Sequence, residues 1–176
     1  MSRSHILYII GFMGSGKTTA GMRLASSFGW SFIDLDRRIE AHMGMTIAEI
    51  FLQHGENYFR EVEASLLRNL APVSDSVVAT GGGAPCYGSN MEFMLETGLT
   101  IYLKLTPSQL AGRLRSSSDE RPLIRNLSGD SLLKFIEEKL SERAEWYEKS
   151  HFVVDGFDLD INSVKSLVIS RLRNIK

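Results

Sequence analysis

Residues Gly11-Phe12-Met13-Gly14-Ser15-Gly16-Lys17-Thr18 stand directly behind the apolar run Ile6-Leu7-Tyr8-Ile9-Ile10. No other segment limits the possible folds so sharply. The run satisfies G-x-x-x-x-G-K-[ST] in full and lies where that motif needs to lie, after a strand and before a helix. A helical pattern leaves it through Thr19, Ala20, Met22, Leu24 and Ala25. Glycines let consecutive N–H groups turn inward around phosphate oxygens, and the helix behind them aims its positive end into the same space. Lys17 can then reach the β- and γ-phosphates, and the Thr18 hydroxyl can ligate Mg²⁺. The reading is a nucleoside triphosphate site on a strand–loop–helix unit.

The rest of the chain repeats that alternation. Further strand-like runs occur at Ser31–Leu35, Ser76–Thr80, Leu99–Leu105 and Phe152–Asp155. Helical patterns fall at Arg37–Met43, Ile47–His54, Asn57–Leu70, Pro107–Leu114, Asp130–Ser150 and Asn162–Arg173. Thr46 with Glu49 forms a capping box, and Pro107 behind Thr106 suits a first helical turn. Strands alternating with helices predict a parallel sheet covered on both faces, in one domain spanning residues 1–176. The mostly apolar strands fit burial on both sides. Ser116–Gly129, rich in serine, charge and turn formers, predicts a mobile loop.

Composition excludes several function classes. A formal net charge of -1 supplies no global field for nucleic acid or an anionic membrane, so any anion site is a local cluster. The apolar runs are too short to span a bilayer, and the N-terminal residues do not resemble a signal peptide. One cysteine, Cys86, excludes an intramolecular disulfide, and with only four histidines it argues against structural zinc. A cytoplasmic protein without nucleic-acid or membrane partners is expected.

The remaining polar clusters bear on the phosphoryl acceptor. Asp34-Leu35-Asp36 ends the second strand, where ligand crevices open in parallel sheets. Strand alternation predicts both carboxylates on one side, one helping to hold Mg²⁺ and the other accepting from a substrate hydroxyl. The same pair could instead only cap the next helix. Gly81-Gly82-Gly83 follows the third strand, either as bare backbone against a ligand or as a plain turn. Arg60 and Arg143 read alone as surface charges, but together in a crevice they suit a small hydroxylated carboxylate. Arg121, in the expected mobile loop, could close over the transferring phosphate while excluding water, or remain solvated.

In this succession the chain resembles the shikimate kinase family across nearly its full length. The order is Gly-Phe-Met-Gly-Ser-Gly-Lys-Thr, Asp-Leu-Asp, Phe-Arg-x-x-Glu, Gly-Gly-Gly, Arg-Pro-Leu and Arg-x-x-x-Tyr. The resemblance implies an α/β, three-layer P-loop fold of nucleoside monophosphate kinase type. Its five-stranded parallel sheet would have the order 2-3-1-4-5. It further implies ATP-dependent phosphorylation of the shikimate 3-hydroxyl, a step toward chorismate and the aromatic amino acids, by a monomer. A gluconate kinase of the same fold is the alternative.

Carried over by position, the resemblance implies ATP binding by Gly14, Ser15, Gly16, Lys17, Thr18 and Thr19, with Thr18 and Asp34 at Mg²⁺. It implies that Asp36, Arg60, Gly81, Gly82, Gly83 and Arg143 hold shikimate, with Lys17, Asp36 and Arg121 in the chemistry. Arg113 or Arg115 would approach the adenine. The substrate subregion would cover about residues 33–61 and the lid about 112–126. Thr19 stands where serine is usual. Asp155-Gly156-Phe157-Asp158-Leu159-Asp160 lacks the arginine that many relatives bring to the base.

Overall fold

The computed structural model describes residues 5–70, 75–116, 124 and 127–173. Its strands are β1 (Ile6–Ile10), β2 (Ser31–Asp34), β3 (Ser76–Ala79), β4 (Leu99–Lys104) and β5 (Phe152–Asp155). They form one parallel sheet of order β2-β3-β1-β4-β5, as the resemblance implies. The central strands β1 and β3 are buried along their whole length. The edge strands are not: β2 and β5 alternate between half-buried and exposed positions or stay half-buried, because each has a neighbour on one side only.

Strand alternation sends successive side chains of β1 to opposite faces. Ile6, Tyr8 and Ile10 join one core with residues of α2 (Leu35–Met43), α3 (Ile47–Arg68), α4 (Asn90–Thr97) and α6 (Gly129–Tyr147). Leu7 and Ile9 join the other with α1 (Lys17–Phe28) and α7 (Ile161–Arg173). A third cluster, Phe12 with Leu105, Leu110, Leu114, Leu132 and Ile136, packs α5 (Pro107–Ser116) on α6 beyond the carboxyl ends of the strands. The three layers are therefore helix, sheet and helix, with a small apolar buttress above the site.

Local chemistry explains most boundaries. The expected capping box forms: Glu49 N–H donates to Thr46 Oγ1 at 3.2 Å and Thr46 N–H to Glu49 Oε2 at 2.7 Å. Thr106 and Gln109 make the same reciprocal pair at the start of α5. The two helices expected at 47–54 and 57–70 run on as one element bent at Gly55, whose φ of 82° and ψ of 170° no side-chain-bearing residue adopts readily.

Three expectations are corrected. The second strand stops at Asp34 instead of Leu35, and α2 begins at Leu35 instead of Arg37. Asp34 and Asp36 are thus not strand neighbours on one face: Asp34 is the N-cap and Asp36 lies in the first helical turn. Helix α6 covers Gly129–Tyr147 instead of Asp130–Ser150. Two elements were not expected, the 3₁₀ turn Ala84–Cys86 and helix α4. Met22 in α1 is exposed, while Gly21 takes the inward position against Phe32.

Candidate active site

Loops after β1 and β3 leave adjacent strands, where the sheet order reverses and a crevice must open. Main-chain contact fixes them to one another. Thr80 N–H donates to Ile9 O at 3.2 Å, and a Cβ at Gly82 would stand 3.1 Å from Met13 N.

The phosphate loop takes the expected shape. Gly14 and Gly16 have φ of 78° and 90°, and Gly16 is the N-cap of α1. The first turn of α1 holds no acidic residue, so its positive end is not neutralised from within the helix. Lys17 Nζ donates to Phe12 O at 2.9 Å, folding the ammonium back over the loop. Thr18 Oγ1 donates to Asp34 Oδ2 at 2.8 Å, while Asp34 Oδ1 accepts from Arg37 N–H at 3.2 Å. Asp34 therefore does both things left open above: it caps α2 and meets the phosphate-loop hydroxyl. Ser15 is buried, and Thr19 is exposed in the first turn of α1.

Opposite the phosphate loop, charged groups from three helices converge on the glycine loop. Asp36 Oδ1 would stand 2.9 Å from a Cβ at Gly81, with Glu63 Oε1 closer still. The Arg60 guanidinium occupies the space that a Cβ at Gly83 would need. Gly81 and Gly83 are thus required by close approach: side chains of α2 and α3 lie on bare backbone. Arg143, on α6, holds its guanidinium 5.4 Å from the Phe12 ring centroid, and its Nη1 is buried without a hydrogen-bond partner among the described residues. One turn on, Tyr147 Oη donates to Gly82 O at 2.5 Å, which ties α6 to the glycine loop.

The centre of this group was given no role from the sequence. Glu63 is 0% exposed and accepts from Arg60 Nη1 at 2.7 Å. Its other oxygen, Oε1, is buried with no hydrogen bond among the described residues. Burial pushes its carboxyl up to about 7; Arg60 and Arg143 work against that shift, and Asp36 adds to it. Arg60 also donates to Glu56 Oε1 at 3.1 Å. Burial opposes its charge, but Glu63 and Glu56 outweigh that and push its pKa up. Burial likewise raises the Cys86 thiol to about 11, so it is an inert, half-buried group beside the crevice.

The nucleotide-side arginines part company. Arg113 Nη1 donates to Ser15 O at 2.9 Å and Nη2 to Gly156 O at 3.1 Å, with the Phe157 ring 5.7 Å from its guanidinium carbon. Phe157 is 58% exposed beside it. Arg115 is exposed and donates to Gly129 O at 3.3 Å, toward the start of α6. Arg121 and most of the expected lid lie outside the described residues.

The oxygen pair Thr18–Asp34 suits a hard cation that keeps waters and takes its other ligands from phosphates. Among the described residues, no group of three or more His, Cys, Asp or Glu could hold a metal by itself. None of the described helices is long and apolar enough to cross a membrane. The loop after β1 and the group formed by Arg60, Arg143, Asp36 and Glu63 therefore adjoin one another through the glycine loop and the Phe12 ring.

Comparison with known proteins agrees with this geometry. A sequence model of the shikimate kinase family matches residues 13–172. Shikimate kinase of Parabacteroides distasonis is 43% identical over 150 residues, covering 85% of this chain and 87% of that protein. The solved structure of shikimate kinase from Bacteroides thetaiotaomicron superposes with a TM-score of 0.84 at 36% identity, over 97% of each chain. Shikimate kinase from Acinetobacter baumannii, solved in complex with shikimate, gives a TM-score of 0.84 at 30% identity, over 98% of this chain and 95% of that one.

Proposed function

The chain belongs to the shikimate kinase family, and on that premise we propose how its own residues carry ATP-dependent phosphorylation of the shikimate 3-hydroxyl. One observation carries the reading. Arg60, Arg143 and Asp36 come from three different helices yet meet at the glycine loop, across the crevice from the phosphate loop.

Arg60 and Arg143 receive the substrate carboxylate, since guanidinium forks match its two oxygens. Gly81 and Gly83 let Asp36, Glu63 and Arg60 lie against bare backbone, and Gly82 lets the same loop pack against the main chain of the phosphate loop, so the substrate groups are held close to the phosphates. Asp36 accepts from the attacking hydroxyl and orients it toward the γ-phosphate. Little covalent work falls to the protein in such a transfer, so placement and charge neutralisation dominate. The amides of Gly14, Ser15, Gly16, Lys17, Thr18 and Thr19 hold the phosphates, and Lys17 offsets charge on the oxygens of the moving group. Arg121 completes that charge from the lid, about residues 112–126, and closure there excludes water. Thr18 and Asp34 would hold Mg²⁺, which when bound neutralises charge on the β- and γ-phosphate oxygens.

Arg113 braces the phosphate loop from α5, and with Phe157 it borders the place where the base leaves that loop; Arg115 faces away. The protein acts as one kinase domain, a cytoplasmic monomer working on ATP and shikimate with Mg²⁺. A coupled ADP-release assay across shikimate, gluconate and nucleoside monophosphates tests this reading. Turnover with shikimate alone is expected, and preference for gluconate would replace it.

A further inference from the structure

The buried acid at the centre of the recess, Glu63, has no part in the transfer described above. Glu63 is held from one side only: Oε2 accepts from Arg60, while Oε1 is buried and unbonded among the described residues. Every element packed around it brings a charged or titratable group. Its own helix α3 supplies Arg60, and Glu56 through Arg60; α2 supplies Asp36; α6 supplies Arg143; the 3₁₀ turn supplies Cys86. In the recess two guanidinium groups face three carboxylates, those of Asp36, Glu63 and the half-exposed Glu56. A substrate carboxylate docking on Arg60 and Arg143 adds a further negative charge, draws on the same N–H donors and displaces water.

We propose that Glu63 is a proton-linked positioning residue, which takes one proton from solvent as the substrate carboxylate docks on Arg60 and Arg143. This rests on the reading of the recess as the shikimate pocket and extends it to the protonation state of a residue the substrate need not touch. The new O–H bond forms at Oε1, the oxygen left unbonded, so Oε2 can go on accepting from Arg60. The recess then keeps its charge balance when the anion enters, and Arg60 is freed to share its fork with substrate.

Geometry and electrostatics agree on the pH range. With its carboxyl near 7, Glu63 is only partly protonated at neutral pH. An added anion moves the midpoint higher, and binding then takes up protons. Cys86, near 11, stays protonated throughout.

Calorimetric titration of shikimate into the wild-type protein near neutral pH, in two buffers of different ionisation heat, measures the uptake directly. About half a proton per bound shikimate is expected, with affinity falling up to about tenfold per pH unit above neutrality. Glu63→Gln, which mimics the protonated acid, is expected to bind shikimate with no buffer dependence and a flat pH profile. A merely structural role for Glu63 would not move that readout. Binding without uptake in the wild type overturns the proposal, as does undiminished uptake in Glu63→Gln, and the wild-type result decides even if the variant fails to fold. Absence of any shikimate binding, with ATP binding intact, overturns the functional reading itself and the proposal with it.

Discussion

Arg113 on α5 reaches the main chain of the phosphate loop, donating Nη1 to the carbonyl of Ser15 at 2.9 Å, while Nη2 donates to Gly156 O beyond β5. One guanidinium thereby joins three segments that are remote in the chain. Arg113→Ala is expected to raise the KM for ATP roughly tenfold, the loss of one charged hydrogen bond. The KM for shikimate should stay near its wild-type value. Steady-state kinetics with each substrate varied in turn checks the split, and equal changes in both would contradict it.

Lys17→Ala removes the ammonium that folds over the phosphate loop. A positioned cation on a transferring phosphoryl group is worth on the order of 10²–10³ in turnover. A fall in kcat of that size is expected, with the far-UV circular dichroism unchanged. Retention of full activity would rule out its role.

Gly83→Ala places a methyl group where the Arg60 guanidinium lies. The guanidinium must move, so the shikimate KM is expected to rise at least about tenfold. ATP affinity should hold, because the phosphate loop lies on the other side of the crevice. Binding measured separately for the two ligands tests this, and unaltered shikimate affinity would show that Arg60 tolerates displacement.

Arg60→Ala strips Glu63 of its hydrogen-bonded partner inside the protein. Leaving a buried acceptor unsatisfied costs roughly 1–3 kcal/mol, visible as a lowered midpoint in urea. Adding Glu63→Gln removes the orphaned charge and should recover part of that loss above neutral pH. No recovery in the double variant would indicate that packing, not charge, dominates.

Glu63 also makes stability depend on pH. Its folded carboxyl, near 7, stands above the ordinary 4.5, so the native state binds more protons than the unfolded chain between those values. Stability from this group is therefore fully present at acid pH and declines as pH rises from about 4.5 to about 7. The decline is at most roughly 3 kcal/mol. Denaturation midpoints of wild type and Glu63→Gln across that range give the test: the variant should lose the downward slope.

The phosphate loop was legible because its chemistry is contiguous, and a strand before it and a helix after it leave one topology open. Arg60 and Arg143 were legible only as types, since neither residue's neighbours in the chain say that it turns inward. Glu63 stood in the Phe-Arg-x-x-Glu run but was given no role, for a related reason. Glu61-Val62-Glu63 reads as a polar helical face, yet Glu61 is exposed and Glu63 fully buried. Its one signal was the three-residue spacing from Arg60, which fits an ion pair along a helix. The strand-end reading of Asp34-Leu35-Asp36 failed because Asp34 caps its own helix, a local hydrogen bond that ends β2 one residue early. Helix α4 was missed because it is short and follows the turn formers Gly88-Ser89-Asn90.

The backbone contact between Gly82 and Met13 has a bearing on how such an enzyme can change its acceptor. Both loops grow from neighbouring strands, whose separation of about 4.8 Å is dictated by main-chain hydrogen bonding. Donor and acceptor are accordingly gauged by a ruler that side-chain replacement cannot stretch. Selectivity for a different alcohol has to be written on the helices that overhang the recess, while the stroke length of the transfer stays constant.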